Sequence, residues 1–205
     1  YGDWSSDVCL PISGLGVVEG GPIPYLPAAA AKKRENYAKR AAADPTESKC
    51  FMPGVPRITY MPFPFEIIQT PSSVAMRYEY GHAFRTIPAD GSKHPQGMPP
   101  TWMGDSRGHW EGDTFVVDVT TFNDQTWFDH AGNHHSEALH VVERYTLTSL
   151  DHILYEVTIE DPNVFFRPWK MSMPLYRRLE KNAAPLEYEC VFYKQEEQYK
   201  NAPFK

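Results

Sequence analysis

Val74-Ala75-Met76-Arg77-Tyr78-Glu79-Tyr80-Gly81 sets Val74, Met76, Tyr78 and Tyr80 on one side of a two-residue period. Ala75, Arg77, Glu79 and Gly81 take the other side. A period of two is the signature of a strand with one buried face. Working outward, residues 65–69 read as a short apolar strand, joined through the turn Pro71-Ser72-Ser73. Residues 83–87 follow as a strand, and a loop rich in Gly and Pro runs over 88–100. Residues 102–110 and 114–120 flank Glu111-Gly112-Asp113, which is hairpin chemistry. Residues 139–148 and 153–159 flank Ser149-Leu150-Asp151-His152 in the same way. The last strands fall at 167–173 and 186–193, and 121–137 is a long polar and aromatic loop.

Roughly eight or nine hairpin-linked strands predict an antiparallel meander, and such a sheet hides its edges best by closing. The expected fold is mainly β: a lipocalin-like barrel over 57–193, with a β-sandwich as the alternative. Pro27 and the Ala-rich run 28–43, stopped by Asp44-Pro45, predict one helix over 27–44. Its apolar face is thin, mainly Ala with Tyr37, which puts it outside the barrel. Residues 1–26, rich in Gly and Pro, read as an extended arm lying on the domain.

Composition agrees. A chain of 205 residues is one domain. Pro is 19, roughly one residue in eleven, and Phe, Tyr and Trp total 28, which suits short strands and fixed turns better than a helical bundle. The formal charge of −6, with no basic run, disfavours nucleic acid and acidic membranes. No apolar stretch is long enough to span a bilayer as a helix. The chain starts at Tyr1 and has three Cys (Cys9, Cys50 and Cys190). The expectation is a mature, exported protein with one disulfide and one Cys left over, secreted or held in the secretory lumen.

Several groups carry chemistry. Asp129-His130-Ala131-Gly132-Asn133-His134-His135-Ser136 is rich in imidazole, with His140 beyond it. It lacks a metal-binding spacing, so the loop reads either as solvated and hydrogen-bonded or as placing His135 at a pocket mouth as an acid/base. Glu143 and Arg144 lie on opposite faces of one strand, so one of them points inward and needs a partner. The plain reading is an Arg–Glu bridge between strands; the functional one is a polar anchor in an apolar pocket. The acids of residues 105–113 are explained by turn chemistry. Most of Trp102, Trp110, Trp127, Phe128, Phe165, Phe166 and Trp169 belong to the core, and some would line a cavity.

Lys49-Cys50-Phe51-Met52-Pro53-Gly54-Val55-Pro56-Arg57 resembles the Cys-x-Pro-x-Gly-x-Pro-Arg signature of bacterial exported proteins of unknown function, although Pro53 here directly precedes Gly54. Residues 64–71, 122–127, 135–145, 158–162 and 187–190 extend the likeness, as does Gly104 through Thr114 with its Gly-x-Trp-Glu-Gly-Asp-Thr motif. The resemblance spans about residues 22–193. Cys9, and Lys93 in place of an expected Arg, depart from the bacterial pattern and resemble fungal relatives. Those relatives are the hetero-Diels–Alderases of tropolonic sesquiterpene biosynthesis. The resemblance implies a metal-free, cofactor-free enzyme: a hydroxymethyl tropolone loses water to an o-quinone methide, which adds across an alkene of a humulene-type terpenoid. It also favours Cys50–Cys190 as the bridge, with Cys9–Cys50 open.

On side-chain chemistry and motif position, the candidate catalytic residues are His135 and Glu143 as acid/base and Arg144 and Arg85 as oxygen-binding donors. Glu79, Trp110, Trp127 and Trp169 are the candidate substrate-binding residues. No cofactor is expected, the partners are hydrophobic small molecules, and polar strand faces leave room for a homodimer. The alternatives are a non-catalytic carrier of a hydrophobic ligand and a metal-dependent hydrolase built on the His-rich loop.

Overall fold

The computed structural model describes residues 7–11 and 17–190, with side chains from residue 18 onward. The chain is mainly β and antiparallel. Its strands are β1 (Asp7–Pro11), β2 (Val17–Val18), β3 (Phe65–Gln69), β4 (Ser73–Tyr78), β5 (Phe84–Pro88), β6 (Asp105–Glu111), β7 (Thr114–Thr120), β8 (His140–Ser149), β9 (His152–Glu160) and β10 (Trp169–Arg177). The helices are α1 (Pro27–Ala43) and the single turns α2 (Pro45–Ser48) and α3 (Arg57–Tyr60). Among the described residues, no helix is long and apolar enough to cross a membrane.

The sheet order is β5-β4-β3-β1-β10-β9-β8-β7-β6, with β2 beside β10. Two hairpin-linked groups, β3–β5 and β6–β10, are thus joined by β1. The expected arm is in part a sheet strand: Val8 pairs with Glu66, and Leu10 with Tyr176. The alternation read from residues 74–81 holds in β4, where Val74, Met76 and Tyr78 are buried. On the same inner face lie Glu143 and Tyr145 of β8, Tyr155 and Val157 of β9, and Met171 and Leu175 of β10. Each large apolar side chain removed from water contributes about 1.5–3 kcal/mol.

The two terminal strands, β5 and β6, meet through side chains: Arg85 Nε donates to Ser106 Oγ at 2.9 Å. Among the described residues no backbone ladder joins them. The last expected strand does not form within the described residues. Leu186 through Cys190 is irregular, with one bridge from Tyr188 to Tyr80, and residues 191–193 lie outside the description.

Helix α1 lies on the outside and buries two residues, the apolar Ala29 and the polar Asn36. Asn36 is buried and its Nδ2 donates to the carbonyl of Gly132 at 3.2 Å. Tyr37, expected on the packing face, is exposed beneath the Arg40 guanidinium. Gly132 is required here: its φ is +82°, and a Cβ would sit 2.7 Å from Tyr37 N and 2.8 Å from Asn36 Cβ.

Candidate functional site

Asp44 ends α1 and opens α2. Its carboxylate accepts from Thr46 N at 3.1 Å, as an N-cap does, and is fully buried. Arg57, at the start of α3, donates from Nη1 and Nη2 to the two Asp44 oxygens, each at 2.9 Å. This two-pronged pair fixes the register between the two turns. Arg57 also points Nη1 at the carbonyl of Trp127, 3.5 Å away, which anchors the 121–137 loop.

That loop is held internally. Asp129 accepts from the backbone amides of Ala131 and Asn133 at 2.8 and 3.2 Å. Tyr60 Oη donates to the carbonyl of Phe128 at 2.6 Å. Burial pushes the Tyr60 phenol pKa well above its ordinary value, so it stays protonated and keeps this hydrogen bond. His130 is then presented outward, 47% exposed, with Nδ1 3.3 Å from Asp44 Oδ2 and 3.2 Å from Glu47 Oε1.

Between these parts lies a cleft of about 400 Å³, within the size range of small-molecule pockets. Tyr60, Met61, Pro62 and Phe128 give it apolar walls, while Glu47, Arg57 and Asp129 bring charge to it and His130 an imidazole. Behind Phe128 stand Phe165 and, edge-on at 6.0 Å, Trp169. The cleft thus combines a greasy surface with an imidazole and a carboxylate in contact. Asp44, Glu47 and His130 are close enough together to share a cation. The Arg57 guanidinium already supplies a positive charge there, on Asp44 and 3.8 Å from Glu47, and opposes a second one.

The sequence-derived candidates do not converge on this cleft. His135 is buried: Nε2 lies 2.7 Å from Thr126 Oγ1 and Nδ1 lies 3.0 Å from the Ser136 carbonyl. Nδ1 therefore donates to the carbonyl and Nε2 accepts from the hydroxyl, which is a neutral imidazole bracing the loop. Burial, more than any neighbour, pushes its pKa down. The neighbouring His134 is also lowered by burial and stacks on Tyr25. The imidazole at a pocket mouth is His130, not His135, because packing against Phe122 and Phe128 draws His135 inward.

Glu143 and Arg85 are brought together, in the interior. Arg85 Nη2 donates to Glu143 Oε2 in a close ion pair. Tyr145 and Tyr155 donate to Glu143 Oε1 at 2.9 and 2.7 Å. Burial works against the Arg85 charge, but Glu143 and the surrounding phenols outweigh it and its pKa is raised. Glu143 has no accessible surface, so no water-sized void touches it. Arg144 is elsewhere, on the outer face, pairing with Glu111 at 2.9 Å. The inter-strand bridge weighed for this strand is therefore doubled, one pair inside and one out. The segment between the interior pair and the cleft is α3, with Thr59 beside the Tyr78 and Tyr145 phenols and Tyr60 on the cleft wall.

Of the remaining candidates, Trp169 backs the cleft wall, and Trp127 adjoins it through its carbonyl on Arg57. Trp110 packs on Phe115 at 4.9 Å, away from the cleft residues. Glu79 accepts from Leu186 N at 2.8 Å and holds the irregular C-terminal segment. Cys50 and Cys190 are bonded, with Cα atoms 5.5 Å apart. Glu47, Tyr60, Met61 and His130 were missed as a site. Only His130 carried a signal, within the His-rich loop.

The geometry defines a mainly antiparallel β protein with an apolar surface cleft served by a histidine–carboxylate pair. Comparison with models of known families, with curated proteins and with solved structures returns no match to this chain.

Proposed function

We propose that the chain is a cofactor-independent cyclase that binds a hydrophobic, oxygen-bearing small molecule in the cleft between α3 and Phe128. The observation that carries this reading is His130 held against Glu47 at the rim of apolar walls. The chemistry follows the resemblance to the hetero-Diels–Alderases of tropolonic sesquiterpene biosynthesis. The ring hydroxyl of a hydroxymethyl tropolone gives its proton to the Glu47 carboxylate. The His130 imidazolium protonates the leaving hydroxyl, the C–O bond breaks, and water departs to leave an o-quinone methide. This heterodiene adds across an alkene of a humulene-type terpenoid. Three π bonds become one, and one C–C and one C–O bond form, with no proton or electron supplied. Proton return from Glu47 to His130 resets the pair.

Tyr60, Met61, Pro62 and Phe128 hold the two apolar partners together and lower the entropy cost of their meeting. The same reading takes the sheet as a lipocalin-like barrel whose seam between β5 and β6 is closed by Arg85 and Ser106. It places the protein in the secretory route, where the Cys50–Cys190 bridge is stable.

The test is chiral product analysis with a hydroxymethyl tropolone and a humulene-type alcohol, with and without protein. Wild type should raise the rate and fix the stereochemical ratio in excess EDTA. His130→Ala should slow the dehydration step by roughly 10²-fold. Met61→Trp, which fills the cleft, should abolish both effects. A protein that binds the terpenoid but leaves the uncatalysed ratio unchanged is a carrier, and that outcome overturns the enzyme reading.

A further inference from the structure

Residues 89–100 form a strap over the outer face of β6 and β7, and His94 is its fastening. His94 Nδ1 lies 2.6 Å from Asp105 Oδ2 of β6, and Nε2 lies 2.7 Å from Asp118 Oδ1 of β7. Both ring nitrogens thus face carboxylate oxygens, which only accept. An imidazolium donates at both. A neutral imidazole donates at one and turns a lone pair on the other carboxylate.

The surroundings are charged on every side. From β6, Arg107 donates to both Asp105 oxygens at 2.8 and 2.9 Å, and its Nη1 reaches Ser92 Oγ of the strap at 2.8 Å. From β8, His140 Nε2 lies 2.7 Å from the other Asp118 oxygen, and Glu160 of β9 stands 3.7 Å behind His140. Asp90 and Lys93 belong to the strap itself, and Lys93 and His109 line the cleft of about 580 Å³ beside His94. Burial raises Asp105 and Asp118, but hydrogen bonds from Arg107 and His94, and from His140 and His94, outweigh it and hold both below the ordinary carboxylate range. The two acceptors therefore stay ionised through and above the ordinary carboxylate range.

The strap leads to the functional loop. At its end Thr101 N donates to the Thr121 carbonyl at 3.0 Å, and Asn123 N donates to the Thr101 carbonyl at 2.8 Å. Those are the first residues of the loop that carries Phe128 and His130. Trp102 packs at a tilt against Phe51, with ring centroids 5.5 Å apart.

We propose that His94 is a proton-operated latch: doubly protonated, it fastens the 89–100 strap to Asp105 and Asp118, and loss of one proton loosens the strap. The inference stands independently of the cyclisation chemistry.

A nitroxide on Gln96→Cys, in a Cys9→Ser background, reports strap mobility by electron paramagnetic resonance between pH 5.5 and 8.5. The ratio of mobile to immobile signal should rise roughly tenfold or more across this range, the factor carried by one hydrogen bond to a charged group. His94→Gln should be mobile throughout, with no pH dependence. Ring 15N shifts of His94 in the unsubstituted chain should show two N–H groups at pH 5.5. A pH profile unchanged in His94→Gln, or a singly protonated His94 ring at pH 5.5, overturns the latch. The ring measurement needs no variant and decides the matter if His94→Gln does not fold.

Discussion

Arg85 and Glu143, 58 residues apart in the chain, form an ion pair in the interior, and neither is reached by solvent to any useful degree. Arg85 comes from β5 at one end of the strand order and also holds Ser106 of β6 at the other. Glu143 completes its hydrogen bonding with two tyrosines. The pair is therefore a tie between β5 and β8, strands far apart in the sheet order, as well as a buried charge.

Removing one member leaves the other buried and uncompensated. Glu143→Leu and Arg85→Leu should each lower unfolding free energy by about 3–5 kcal/mol, while the two together should lose less than the sum of the single changes. Urea unfolding followed by tryptophan fluorescence checks this. Two single variants as stable as wild type would show that the pair adds nothing to the tie.

His135 predicts an acid sensitivity. Its folded pKa is depressed by burial below the unfolded value of 6.5, so the native state favours the neutral ring. The stability this contributes is fully present above pH 6.5 and is lost as pH falls through the folded value. The melting temperature of wild type should thus decline on acidification below that point. His135→Gln, able to accept from Thr126 without charging, should show a shallower decline between pH 6.5 and 5 in calorimetry. Parallel declines in the two proteins would remove His135 as the cause.

Gly132 couples α1 to the functional loop. Gly132→Ala adds a Cβ at positive φ where backbone atoms lie under 3 Å away, and should cost more than about 1 kcal/mol in thermal unfolding. Gly91→Ala, with similar φ but open space around it, is the control and should cost less. Gly132→Ala should also weaken terpenoid binding, because Phe128 and His130 ride on that loop. Equal losses in the two variants would leave backbone strain as the whole explanation.

Legibility in the sequence followed the range of the interactions. β3, the β6–β7 hairpin and the β8–β9 hairpin were readable because alternation and turn chemistry act over a few residues. Helix α1 was readable from Pro27, its Ala content and Asp44-Pro45. The placing of β1 between β3 and β10 was not, since it depends on a pairing partner more than 150 residues away, at Arg177. The strand expected over 186–193 had the right composition, but Glu79 and Tyr80 hold its described part as an irregular segment.

The site followed the same division. From Glu143 and Arg144 on one strand, period two alone required one to face inward and need a partner. Nothing local identified Arg85 as that partner. The loop of residues 129–136 was visibly rich in imidazole, yet which ring faces solvent depends on Arg57, Asp44 and Tyr60, brought in from other segments.

Local rules, then, gave this protein its strand faces, its main turns, its outer helix and the demand for a buried counter-charge, because those depend on spacing and on the cost of unpaired charge. The three-dimensional arrangement alone chose Arg85 for Glu143, turned His130 outward and His135 inward, and set His94 between two aspartates. Each of these choices is a meeting of distant segments, and the free energy that selects it exists only once the intervening chain has folded.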